Sequence, residues 1–233
     1  MPDKATSIAN WVSQVAPSGT AIACGLIGPA TAFNTREAAV IARAVPRRRD
    51  EFLTGRVLAR QALHELGCPP QEILPNKTRA PIWPESFIGS ISHCTGMCMA
   101  HVARRDSLLG IGVDVEQRQA VTPKILDLIS TSEKCASLTT LGAENEIASL
   151  IFSAKEAFYK AYFPVTQVPL DFKDVLIEVD LLTRSFEVSL ASAAAPDIAG
   201  RRSLTGCFAW IDRFVVTAVW AQLPEFKTPG DAN

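Results

Sequence analysis

The chain has 233 residues, 48% of them hydrophobic, a net charge of −1 and six cysteines. The length allows one large domain or two small ones with a substantial core, and the neutral balance excludes a general nucleic-acid binder. The cysteines Cys24, Cys68, Cys94, Cys98, Cys135 and Cys207 contain no Cys-x-x-Cys pair, so reduced thiols in a cytoplasm are the expectation. From the amino end, Thr6 to Val15 fits a short helix ended by Pro17-Ser18-Gly19, and Thr20 to Ile27 a strand. No signal peptide is apparent. The apolar run from Thr20 to Phe33 is broken by Gly25, Gly28 and Pro29 and falls short of membrane-spanning length. Thr35 is placed to cap a helix through Val45, and Pro46 opens a longer one to Leu66, ended by Gly67.

Arginines crowd that longer helix: Arg47, Arg48, Arg49, Arg56 and Arg60. Arg49, Arg56 and Arg60 share one face, flanked by Phe52, Leu53 and Leu63. Solubilising charges should oppose the apolar stripe, so this face fits either anion binding or side chains snorkelling at a core edge. Lys77 and Arg79 come from a turn-like stretch between Pro75 and Pro81. Phe87 to His93, Met97 to Arg104 and Leu108 to Val115 read as three consecutive strands, with Thr95-Gly96 as the first turn. His93, Cys94, Cys98 and His101 imitate a zinc spacing, but strand alternation scatters them over both faces.

The third strand ends in Gly112-Val113-Asp114-Val115-Glu116, whose alternation turns Asp114 and Glu116 to one face. Pro123 to Ile129 and a segment from Ser132 are expected as helices, followed by a long helix from Ala143 to Phe163 that is apolar nearly all round and belongs at the centre of the structure. This helix carries Phe152-Ser153-Ala154-Lys155-Glu156-Ala157-Phe158-Tyr159-Lys160. Glu156 and Lys160 are four apart and project together, with Phe152, Tyr159 and Phe163 nearby on the wheel. A carboxylate inside an aromatic arc requires a partner. Lys160 is one candidate and a metal ion another. The carboxylates are hard oxygen ligands, which suits Mg²⁺. Read singly, each motif is also the composition of a solvated turn or a surface ion pair. Four strands follow: Val175 to Asp180, Phe186 to Ala191, Leu204 to Asp212 and Phe214 to Ala221. The Pro/Gly-rich residues 224–233 are expected as a frayed tail.

In order and spacing, several stretches resemble the single-chain 4′-phosphopantetheinyl transferases of the surfactin, enterobactin and mycobacterial types. They are Arg48-Arg49-Asp50-Glu51-Phe52 with Gly55-Arg56 and Ala59-Arg60, Pro81-Ile82-Trp83-Pro84, Gly89-Ser90-Ile91-Ser92-His93-Cys94 and the two acidic motifs. The resemblance runs from about Arg43 to Phe163. It implies an α+β fold of two similar α/β subdomains related by a pseudo-twofold axis, here divided as 1–115 on the coenzyme A side and 116–223 with the catalytic helix. It implies transfer of 4′-phosphopantetheine from coenzyme A to a serine of an apo acyl or peptidyl carrier protein in siderophore, polyketide or nonribosomal peptide synthesis. It further implies Mg²⁺, with Mn²⁺ as a substitute, held by Asp114, Glu116 and Glu156. Glu156, Lys160 and His93 would be catalytic. Arg48, Arg49, Arg56, Lys77, Arg79, Ser92, His93, Asp114, Lys155 and Lys160 would contact coenzyme A. Residues 165–174 are a candidate carrier-docking surface, and a cytoplasmic monomer is expected. The alternatives are a catalytically silent coenzyme A or carrier-binding module and a Mg²⁺-dependent phosphohydrolase.

Overall fold

The computed structural model describes residues 3–130, 144–198 and 200–223. Asp3 caps helix α1 (Lys4–Val15) by accepting the Thr6 amide at 2.8 Å. Strand β1 (Thr20–Gly25) follows. The next helix, α2 (Thr35–Val40), is shorter than its sequence suggests, and its cap is Asn34, whose side chain accepts the Arg36 and Glu37 amides. Helix α3 (Pro46–Glu65) starts on its proline. Strands β2 (Phe87–Cys94), β3 (Met97–Arg104) and β4 (Leu108–Gln117) come next, then helix α4 (Pro123–Ile129). The expected helix from Ser132 lies outside the described residues. Helix α5 (Glu144–Thr166) is followed by a 3₁₀ turn (Phe172–Asp174) and strands β5 (Val175–Asp180), β6 (Ser185–Leu190), β7 (Ser203–Ile211) and β8 (Phe214–Gln222).

Two antiparallel sheets result, one ordered β1-β3-β2 and the other β4-β8-β7-β6-β5. Central strand β3 is buried from Met97 to Ala103 because both of its faces are covered. Ala100 and Val102 meet Leu58, Ala59, Ala62 and Leu63 of α3. Met97 and Met99 join Ile8 and Val12 of α1, Val113 and Val115 of β4, and Val216 of β8. The second core gathers Leu150, Ile151, Ala154, Ala157 and Phe158 of α5 against Val188, Phe208, Val215 and Val219. The long apolar helix thus fills the centre of the second half, as its composition requires. The segment 165–174 sends Val165, Leu170 and Phe172 onto the same core.

Although β2, β3 and β4 are consecutive, β4 hydrogen-bonds to β8 and belongs to the second sheet. A division after residue 115 therefore falls inside a strand. We propose the turn between β3 and β4 as the boundary. Across it β2 and β4 lie side by side without a backbone ladder, joined instead by serine hydroxyls. Ser90 Oγ accepts the Val113 amide at 3.1 Å and donates to the Val113 carbonyl at 3.4 Å.

Candidate active site

Strand β4 and helix α5 bring the two acidic motifs together. A Cβ on Gly112 would lie 1.8 Å from the carbonyl oxygen of Ala157, so only glycine lets α5 seat directly on the strand. That contact holds Glu156 and Lys160 beside Asp114 and Glu116. Lys160 Nζ donates to Asp114 Oδ1 at 2.6 Å, to Ser92 Oγ at 3.1 Å and to the Val113 carbonyl at 3.4 Å. Ser92 Oγ donates to the same Asp114 Oδ1 at 2.7 Å. Asp114 is 2% exposed, and its other oxygen, Oδ2, is buried with no partner.

The electrostatics report a concentration of negative charge that Lys160 does not cancel. Burial, then the charges of Asp114 and Glu156, push the Glu116 carboxyl up to about 8 against the opposing pull of Lys160. Burial raises the Glu156 carboxyl, with Lys160 opposing and Asp114 adding to the rise. Among the described residues no three His, Cys, Asp or Glu side chains are gathered closely enough to hold a metal ion. The chemistry of the donor set, apart from its spacing, nevertheless suits a hard divalent cation: it is all oxygen, it offers one orphaned buried carboxylate oxygen, and neighbouring carboxylates raise the proton affinity of Glu116 and Glu156.

Next to the carboxylates a cleft of about 340 Å³ opens between the start of α3, the β2–β3 turn and the end of β4, lined by Arg47, Glu51, His93, Cys94, Thr95 and Glu116 among others. His93 Nε2 lies 3.1 Å from Arg48 Nη1. Burial, then Arg48 and Lys160, depress the His93 imidazole, while Glu51 and Asp114 oppose the shift. Glu51 is the residue that sequence reasoning passed over. It accepts Arg47 Nε at 2.9 Å and Arg48 Nη1 at 3.5 Å, and lies 4.0 Å from His93 Nε2. Against its own burial, which raises a carboxyl, these cations hold Glu51 below the usual carboxylate range. Its spacing of three and four from Arg48 and Arg47 was the available signal. A larger groove of about 680 Å³ between α1, β1 and α3 contains none of the carboxylates and carries no part of this chemistry.

The structure separates the other expected coenzyme contacts. Arg48 and Arg49 are exposed at the start of α3, and Lys77 and Arg79 are exposed on a loop closed by Asn76, whose side chain accepts the Thr78 and Ala80 amides. Arg56 has partners within the protein. It is 6% exposed, its Nε donates to the Ile73 carbonyl at 2.7 Å, and its guanidinium lies 4.3 Å from the centre of the Phe52 ring. Arg60 pairs with buried Glu37 at 2.7 Å, and Glu37 also accepts the Ile73 amide at 3.0 Å. This part of the helix face braces the loop around Ile73. Lys155 also has partners within the protein. A helix turns about 100° per residue, so Lys155 faces away from Glu156, and its buried ammonium donates to the carbonyls of Ile129 and Phe172. Ser92 is buried against Asp114 on the seam. The zinc-like spacing is scattered as alternation requires, with Cys98 in the core under α3 and Cys94 in the core under α1.

Comparison with known proteins agrees with this geometry. Residues 36–103 match the model of the 4′-phosphopantetheinyl transferase N-terminal domain, and residues 110–217 that of the 4′-phosphopantetheinyl transferase superfamily. The chain is 37% identical over 201 residues to 4′-phosphopantetheinyl transferase Svp of Streptomyces mobaraensis, covering 84% of this chain and 81% of that protein. It is 42% identical over 142 residues to 4′-phosphopantetheinyl transferase PptT of Mycobacterium tuberculosis, covering 60% and 63%. It is 31% identical over 178 residues to enterobactin synthase component D of Salmonella typhimurium, covering 75% and 73%. A chain whose two halves match both family models, and which aligns with most of Svp, belongs to the 4′-phosphopantetheinyl transferase family.

Proposed function

We propose that this protein transfers the 4′-phosphopantetheine group of coenzyme A to a serine of an apo carrier protein, with a divalent metal, Mg²⁺ by preference, bound at Asp114, Glu116 and Glu156. The observation that carries the reading is the approach of these carboxylates to Lys160 beside the cleft lined by His93 and Glu116, with Arg48 against His93. When bound, the cation would neutralise and polarise the diphosphate of coenzyme A. Arg48 and His93 bind phosphate oxygens from the cleft wall, with Arg49, Lys77 and Arg79 as exposed cations available to the nucleotide end. Glu51 accepts from Arg48, which in turn donates to His93 Nε2.

The carrier serine oxygen attacks the β-phosphorus, and the bond from that phosphorus to the bridging oxygen breaks. Glu156 takes the serine proton, a task suited to a carboxyl whose proton affinity burial raises. Lys160 places positive charge where negative charge develops on the leaving adenosine 3′,5′-bisphosphate. The name enterobactin synthase component D places that relative in siderophore assembly, and we propose carriers of siderophore, polyketide or peptide synthases as the partners here.

The reading is tested by following adenosine 3′,5′-bisphosphate from coenzyme A and Mg²⁺ with and without an apo carrier. A transferase forms it only with the carrier present. Release without the carrier would make the protein a phosphohydrolase, and no release in either case a silent binding module.

A further inference from the structure

We infer that Glu37 is a positioning residue for coenzyme A: it anchors the loop that carries Lys77 and Arg79, and so sets the affinity for the nucleotide end without touching it. The inference rests on the reading of Lys77 and Arg79 as contacts to that end. Glu37 lies in the first turn of α2 and is completely buried, at 0% exposure. A carboxylate in such a place is costly unless it is paired and hydrogen-bonded. Its Oε1 accepts Arg60 Nη1 at 2.7 Å and the Ile73 amide at 3.0 Å, and its Oε2 accepts the Phe33 amide at 3.0 Å. Both oxygens are engaged within the protein, and the proposed chemistry makes no use of this charge.

Ile73 is the last buried residue before that loop, and it shares a core with Leu58, Ala59 and Leu63 of α3. Beyond it the chain is held by bonds to itself. The Ile82 amide donates to the Leu74 carbonyl at 2.8 Å, the Asn76 amide to the Ala80 carbonyl at 2.8 Å, and the Arg79 amide to the Asn76 carbonyl at 3.0 Å. Such a turn keeps its own shape, so its placement on the protein is decided by its two legs. The outgoing leg is fixed by Trp83, whose ring lies against Gly89 of β2, where a Cβ would be 2.7 Å from it. The incoming leg is fixed by Ile73, whose amide goes to Glu37 and whose carbonyl accepts Arg56 Nε at 2.7 Å. One residue earlier, Glu72 accepts Asn34 Nδ2 at 2.9 Å and pairs with Arg36, a second tie between the same leg and the start of α2. Arg60 completes the anchor by balancing the charge of Glu37, with its guanidinium 5.0 Å from the centre of the Phe33 ring. Loss of the Glu37 carboxylate releases the incoming leg, and Lys77 and Arg79 then lose their fixed place on the protein.

The test is a double-mutant cycle on the KM for coenzyme A, measured with the full chain, an apo carrier and saturating Mg²⁺. Glu37→Gln keeps the volume and one acceptor but turns an amide NH₂ toward an N–H donor. It should raise KM about tenfold, the scale of one hydrogen bond to a charged group, with kcat changed less than about threefold. Lys77→Ala/Arg79→Ala should raise KM at least as much. Adding Glu37→Gln to that pair should change KM less than about twofold, because the side chains through which it acts are gone. A merely structural role would add its full effect in that background. If Glu37→Gln does not fold, Glu72→Ala tests the same anchor from its more exposed end. Its rise in KM should be about threefold, the scale of a partly exposed ion pair, and should likewise vanish in the Lys77→Ala/Arg79→Ala background. An unchanged KM in Glu37→Gln, or a rise that persists in full without the two loop cations, would overturn the inference. An unchanged KM in Lys77→Ala/Arg79→Ala itself would overturn the reading of those cations and the inference with it, and is a distinguishable result.

Discussion

His101 stands in the middle of β3 with both ring nitrogens buried and unpartnered, and burial depresses its imidazole to about 3. The sign of the resulting pH dependence follows. The unfolded chain takes up a proton below about 6.5, whereas the folded protein resists until about 3, so stability is full at neutral pH and falls as the solution is acidified through that window. One such group costs about 1.4 kcal/mol per pH unit within the window. Urea unfolding at pH 7, 5.5 and 4 should therefore show the advantage of His101→Leu over wild type growing as pH falls. Parallel curves would mean that His101 is solvated or paired. Arg48 and Arg56 give a second contrast at this scale. Arg48→Ala should raise the KM for coenzyme A about tenfold to a hundredfold with little change in kcat, the worth of a charge-assisted contact made in binding. It should also erode any preference over dephospho-coenzyme A if Arg48 meets the 3′-phosphate. Arg56→Ala should leave KM alone and destabilise the protein by about 2–3 kcal/mol, because it removes a buried bond to Ile73 and packing on Phe52. Equal KM effects with unchanged melting temperatures would return Arg56 to the substrate. Helical spacing cannot say whether Arg56 faces a cleft or a loop carbonyl. Asp114, Glu116, Glu156 and Lys160 were legible because strand and helix periodicity fix their faces.

Among the elements, α5 on β4 is the contact that assembles the site. Gly112 abuts the Ala157 carbonyl, and Gly110 approaches Ala161 in the same way, a Cβ there lying 2.6 Å from its carbonyl oxygen. Gly112→Ala must push the helix off the strand. We expect a loss of about 1–3 kcal/mol or more in stability and a drop in kcat larger than the loss of folded protein explains, since Glu156 and Lys160 move away from Asp114 and Glu116. Circular dichroism melting together with initial rates per folded molecule checks this, and a wild-type rate in a folded variant would contradict the packing argument. Most elements could be read from periodicity to within a few residues, as with Met97–Arg104 and Pro123–Ile129. The exception is α2, where Thr35 was taken as the cap and the helix carried to Val45. Asn34 offers the Asx oxygen one residue earlier, and the helix yields to turns after Val40, ahead of Pro46, whose ring disfavours helix in the residue before it.

At the scale of the whole molecule, the family resemblance implied two α/β halves, while the sequence alone showed only comparable content in each and not which strands join which sheet. Proximity in sequence favoured β4 beside β3. The structure pairs it with β8, more than a hundred positions later in the chain, where Val113 and Val115 share a core with Val216 and Ala218. The arrangement sets Asp114 at the seam of the two sheets, within reach of Ser92 from the first sheet and Lys160 from helix α5. Each half matches a model of one family. The central claim is that this seam is a metal-dependent phosphopantetheinyl transfer site. Its most direct test is the intact mass of an apo carrier after incubation with coenzyme A and either the wild type or Asp114→Ala, in Mg²⁺ or in EDTA. The account predicts one added phosphopantetheinyl group with wild type and Mg²⁺, none in EDTA, and a rate at least about a hundredfold lower for Asp114→Ala. Full modification of the carrier by Asp114→Ala, or by wild type in EDTA, would contradict it.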